Sequence, residues 1–181
     1  MIGNLTPREL RQNRFALLLF VTSQLVPIFV MINIRFMLAD TYVSARVDPL
    51  VGGLLPTLLL LIAGVVAWGA VPAVKTGTAA RVKSRLLLAG VIGVIGFITQ
   101  IWPLFSHAYD ALSPFGEVHL VSVGVGGFYT LLALIVLWSV GVRLGKGSPL
   151  RAHYWGVEAT AWMFSLNAVG WLALYIALFW L

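Results

Sequence analysis

The chain of 181 residues is 60% hydrophobic and only 10% charged. That is far from the make-up of a soluble domain, so lipid rather than water is the solvent for most of it. The absence of cysteine excludes disulfides, thiolate-bound metals, iron–sulfur clusters and thioether-attached haem. The formal net charge of +6 does not imply nucleic acid, because the basic residues stand in short clusters between apolar runs, where the cytoplasmic bias of Lys and Arg in membrane proteins accounts for them.

In chain order, Thr6-Pro7-Arg8-Glu9 has capping-box spacing with proline at the first helical position, which predicts a helix that starts at the inner surface and runs into the membrane. The first apolar span covers about residues 15–38. It is too long for the apolar part of a signal peptide and lacks a small-residue cleavage site, so it is expected to stay in the mature protein. The second span, about 50–74, contains Gly52, Gly53 and Pro56, which lipid-embedded helices tolerate where neighbours satisfy the loosened backbone. Lys75 to Arg85 reads as a basic loop. The third span, about 86–105, opens with Gly90, Gly93 and Gly96, and the fourth, about 118–142, carries Gly124, Gly126 and Gly127; both sets form surfaces that let another helix approach closely. Gly145-Lys146-Gly147-Ser148 lacks the first glycine of a phosphate-binding loop, Val140 standing there instead, and no strand precedes it, so it reads as a helix end and a turn. The fifth span, 153–181, is long enough to cross a bilayer, since roughly 20 residues at about 1.5 Å rise cover a core of about 30 Å. The expected fold is therefore a single all-α transmembrane domain over residues 1–181, a bundle of five transmembrane helices.

Orientation follows from the basic residues. Arg8, Arg11 and Arg14, then Lys75, Arg81, Lys83 and Arg85, then Arg143, Lys146 and Arg151 put ten of the twelve on one side of five crossings. The other side has Arg46, and Arg35 near the membrane edge, with Asp40, Asp48, Asp110 and Glu117. The N-terminus is expected in the cytoplasm and the C-terminus outside.

Glu158 is the one carboxylate expected inside a span, and intramembrane acids are costly enough to mark functional sites. A proton relay would need a second titratable group at depth, and no other span supplies a carboxylate. A structural or lipid-headgroup role is favoured, with Glu158 near the inner surface pairing with Arg151, His153 or a basic loop residue. Gln24 and Asn167 are mid-span amides suited to bonding a neighbouring helix, a contact worth on the order of 0.6–2 kcal/mol in membranes; Gln100 and Tyr129 are read the same way. His107 and His119 fall at the outer end as interfacial side chains and His153 at the inner end, so they cannot converge on one haem or copper. No catalytic or metal centre is expected in this chain. The seven tryptophans, mostly near span ends, read as interfacial anchors.

The order and spacing of His153, Glu158, Trp162, Trp171, Leu172, Tyr175 and Trp180 resembles the last transmembrane helix of subunit III of the haem-copper oxidases. The run from Arg14 to Ser23 is similar to the start of that family's third helix, Asp48-Pro49-Leu50 to the entry of the next, and Val121 to Gly127 to the small-residue stretch of the penultimate one. Where the family has a membrane glutamate after serine, this chain has Gln24; its penultimate-helix histidines are replaced by residues such as Gly126 and Tyr129; and the histidine and aspartate between its last tryptophans correspond to Ser165 and Ala168. The length resembles the family's five-helix short form.

The resemblance implies a non-catalytic accessory subunit of a terminal respiratory oxidase, an oxygen-reducing and proton-pumping complex, in a prokaryotic plasma membrane. It would bind no redox centre, haem and copper being expected in partner subunits. Its implied role is to pack on the haem-bearing subunit I, with subunit II and further small membrane subunits nearby, to hold structural phospholipid and to sustain proton uptake. Arg151, His153 and Glu158 would serve lipid headgroups or the interface, and Gln24, Trp162, Asn167, Trp171 and Tyr175 helix packing and subunit contact. Two other classes remain open: an accessory subunit of a nitric oxide reductase, which draws on the same family, and a small independent transporter, whose usual midplane polar sites and repeated halves this sequence lacks.

Overall fold

The computed structural model describes residues 6–39, 49–106, 112–145 and 150–181, with the side chains of Ala39, Arg151 and Ala152 left out of the description. His107, Asp40, Arg46, Asp48, Asp110 and Lys146 therefore lie outside the described residues. Within them the chain is all helical: α1 (Pro7–Ala39), α2 (Leu55–Lys75), α3 (Ala79–Ile101), α4 (Pro114–Gly145) and α5 (Tyr154–Phe179). All five are long and apolar enough to cross a membrane, so the protein is a multi-pass membrane protein.

α1, α3 and α4 begin before the spans predicted from hydropathy, because a helix does not start or stop where its apolar stretch does, whereas α5 lies within its predicted span. The capping box forms as expected: the Thr6 amide and hydroxyl both donate to Glu9 Oε2, at 2.7 and 2.8 Å, and the Glu9 amide donates to Thr6 Oγ1 at 3.3 Å. This starts α1 at Pro7 and makes Arg14 an in-helix residue. Most of the expected basic loop is helix as well. Arg81, Lys83 and Arg85 stand on the first turns of α3, and the loop shrinks to Thr76–Thr78 around Gly77, whose φ of 75° only glycine adopts freely. A π-helical turn, Leu50–Leu54, precedes α2, and Thr57 Oγ1 donates to the freed Gly53 carbonyl at 2.7 Å. Short 3₁₀ turns extend α3 over Trp102–Leu104 and lead into α5 over Leu150–His153.

α5 is the central element, packing on α1, α2 and α4, while α3 closes the other side against α2 and α4. Between helices in lipid there is no hydrophobic gain, so close contact depends on small residues opposite large ones. Phe164 of α5, fully buried, fits against Gly93 of α3; a Cβ on Gly93 would lie 2.8 Å from the ring. α1 is laid on the outside, against α4 and α5. Its less exposed side chains recur at three- and four-residue spacing, at Leu10, Asn13, Leu17, Val21, Gln24, Ile28, Met31 and Arg35. Ile28 fills the notch left by Gly170, and Arg35 is buried at the far end with its guanidinium 5.3 Å from the Phe115 ring centre. Arg14 and Arg35 are about 32 Å apart along a helix rising 1.5 Å per residue. That is close to the thickness of a bilayer core.

Candidate functional site

At the N-terminal end of α5, Tyr154 and Glu158 lie one turn apart and both reach Arg14 of α1. Arg14 Nε donates to Glu158 Oε1 at 3.0 Å and to Oε2 at 3.3 Å, and Nη2 stands 2.8 Å from Oε1. The same Nη2 donates to the Tyr154 hydroxyl at 3.5 Å. Lys75, the last residue of α2, holds its Nζ 5.5 Å from the centre of the Tyr154 ring, so three helix ends meet at this aromatic. Glu158 thus pairs with Arg14 of α1, a residue the sequence did not single out for it, while the side chain of Arg151 lies outside the described residues. His153 instead forms the half-buried N-terminal boundary of α5.

The pair is asymmetric. The Glu158 side chain is 7% exposed and that of Arg14 47%, so the carboxylate depends on the arginine far more than the reverse. Arg14 and Glu158 both line an open groove of about 500 Å³ between α1 and α5, together with Arg11, Phe15, Leu18 and Trp162. Cations beside an apolar wall suit an amphiphile with an anionic head.

Trp162 is partly exposed and packs edge-on to Trp68 of α2 at 5.5 Å, while Trp68 Nε1 donates to Ser165 Oγ at 2.8 Å. The two tryptophans tie α2 to α5 rather than acting only as anchors. Gln24 is half-buried, and its amide donates to Ser23 Oγ on its own helix at 3.1 Å, not across to a neighbour.

Near the middle of α4 and α5 a polar cluster joins three helices. The Thr130 hydroxyl lies 2.5 Å from Gln100 Oε1, 3.1 Å from Asn167 Oδ1 and 3.1 Å from the Gly126 carbonyl, and it accepts from Asn167 Nδ2 at 2.9 Å. Gln100 and Thr130 are fully buried and Asn167 nearly so. Beside the cluster, Gly126 leaves space that both the Trp171 ring and the Gln100 amide enter. Asn167 and Trp171 therefore meet across one small-residue surface. Tyr175 fits the notch at Gly53 and packs against Phe179 and Trp180. Thr130 was not singled out from sequence. Its signal is the four-residue spacing of Ser122, Gly126 and Thr130, which keeps them on one face of α4.

His119 is enclosed within the bundle rather than on its surface. It is fully buried on α4, its ring 5.6 Å from Phe115 and 5.3 Å from Phe179, because α4 begins at Pro114 and carries it a full turn into the bundle. Among the described residues no three His, Asp or Glu side chains come together as a metal site would require.

A family model for cytochrome c oxidase subunit III matches residues 3–181. The chain is 26% identical over 134 residues to cytochrome c oxidase subunit 3 of Triticum aestivum, covering 74% of this chain and 51% of that protein. It is 28% identical over 137 residues to the Anopheles gambiae protein of the same name, covering 75% and 52%, and 25% identical over 134 residues to that of Arabidopsis thaliana, covering 74% and 51%. The chain thus spans about half the length of the curated relatives it matches.

Proposed function

The chain belongs to the cytochrome c oxidase subunit III family, and on that premise we propose that it is the accessory, non-catalytic subunit III of a haem-copper terminal oxidase in aerobic electron transport. It packs on the haem-bearing subunit, alongside subunit II and smaller membrane subunits, in a prokaryotic plasma membrane. Haem and copper belong to those partners. Its own work is to retain phospholipid at the contact and so to support sustained proton uptake.

The observation that carries the lipid role is the groove beside the Arg14–Glu158 pair. Glu158 accepts two bonds from Arg14 Nε and so fixes the guanidinium in the lining of the groove, where it and Arg11 hold a headgroup phosphate. The apolar walls below take the tails. Because Glu158 is committed to Arg14, no proton-transfer step is assigned to it. What supports a cytoplasmic N-terminus is the meeting of Arg14, Lys75 and Tyr154 at one end of the bundle, with the basic first turns of α3 joined to α2 by a short loop there.

Glu158→Ala tests this reading. The haem absorption spectrum of the purified complex is expected to stay unchanged, while the phospholipid surviving a detergent wash, measured as phosphorus per haem, falls or the chain dissociates more readily. Loss of haem from the catalytic subunit as the primary defect would overturn the assignment.

A further inference from the structure

A second groove, on a different pair of helices, opens between α3 and α4 at the end where α3 starts and α4 finishes. It has a volume of about 370 Å³. Lys83 and Ser84, on the first turns of α3, stand at its mouth, and Leu87 of α3 and Trp138 of α4 form its walls. Both wall residues are 71% exposed, a large apolar surface left uncovered by this chain. On its α4 side lies Gly141, where an added Cβ would meet nothing within 4 Å. No acidic residue is among those lining it, so nothing in the groove neutralises Lys83.

We propose that this groove is a second lipid site, taking one hydrocarbon tail of an anionic phospholipid along Leu87 and Trp138 with its phosphate on Lys83. One feature favours a lipid over a helix of another subunit: a cation, Lys83, lines the groove together with an apolar wall of Leu87 and Trp138 and no acidic residue, the pairing that a charged head and a hydrocarbon tail require. Arg81 on α3 and Arg143 on α4, both exposed at this end, add to the field that draws an anionic head, each basic residue near such a surface contributing independently. The site does not depend on the Arg14–Glu158 groove, which lies between α1 and α5.

The test uses the protein with its accompanying subunits in phosphatidylcholine nanodiscs containing a phosphatidylglycerol probe with a photoreactive tail. Labelled peptides from the Leu87 and Trp138 regions are expected, with labelling competed by unlabelled phosphatidylglycerol and not by added phosphatidylcholine. Lys83→Gln should weaken that competition about fivefold, the size expected for one lysine at an anionic surface. Gly141→Leu, which fills open space and so spares the fold, should abolish labelling of both regions. The proposal is overturned if α3 and α4 are not labelled, if phosphatidylcholine competes equally, or if a polypeptide cross-links to a photoreactive residue placed at Trp138. Label at Phe15 or Trp162 reports separately on the first groove, so either site can fail alone.

Discussion

Arg14→Ala is expected to lower the stability of the folded chain by about 3 kcal/mol, whereas Glu158→Gln is expected to cost about 1 kcal/mol or less. The difference comes from where each charge sits. With Arg14 gone, a carboxylate 7% exposed is left under α1 without a counter-charge. It must then be hydrated by opening the α1–α5 contact or take up a proton. With Glu158 neutralised, the half-exposed guanidinium turns to water or headgroups at little cost. Among its described side chains α1 has few that are buried, namely Leu10, Ile28 and Arg35, so the loss should appear as detachment of α1. Thermal unfolding in mild detergent and protease cleavage near the N-terminus both read it. The double variant Arg14→Ala/Glu158→Ala should recover much of the loss, the behaviour of two directly coupled groups. A Glu158→Gln variant as damaging as Arg14→Ala would show that the carboxylate is needed for something other than its partner.

Gly126→Val is expected to destabilise the bundle by about 3 kcal/mol or more. A Cβ at this position would lie 2.6 Å from Trp171 Cε3 and 2.7 Å from Gln100 Nε2. Neither neighbour has room to give. Trp171 is 1% exposed, and Gln100, fully buried, is held by Thr130. The valine therefore either drives α4 from α5 or breaks the Gln100–Thr130–Asn167 cluster, leaving amides unpaired in lipid. Gly124, two residues away, has nothing within 4 Å of its Cβ position, so Gly124→Val is the matched control and should leave the melting temperature nearly unchanged. Equal effects of the two substitutions would mean that the α4–α5 surface is not closely packed at Gly126.

Much of this was legible in the sequence because the membrane simplifies it. Five long apolar runs each closed their own backbone bonds as helices, and an acid within one of them, Glu158, stood out. The partner of that acid did not. Arg14 is 144 residues away and lies just before the first apolar run, so hydropathy assigns it to a tail; only the helix begun by Thr6 and Glu9 carries it to α5. The burial of His119 is hidden for a related reason, since α4 begins at Pro114, ahead of the apolar stretch, and packs the histidine between Phe115 and Phe179. Arg35 belongs to the bundle-facing stripe of α1 that includes Leu17, Val21, Gln24 and Ile28, a pattern hidden because α1 is apolar on its outer face as well. Thr130 passed unnoticed because a threonine in a membrane helix usually satisfies its hydroxyl on its own backbone. Thr130 does reach the Gly126 carbonyl, and its further contacts to Gln100 and Asn167 depend on how three helices meet.

Under the proposed function, this chain supports redox chemistry carried out by its neighbours. A mild-detergent pull-down of the chain, followed by an optical spectrum and by stripping to the isolated polypeptide, tests it most directly. Haem absorbance is expected to come down with the complex and to leave with the partner subunits, the isolated chain being colourless and unable to consume oxygen. Haem or copper retained by the isolated polypeptide, or oxygen reduction by it alone, would contradict the claim.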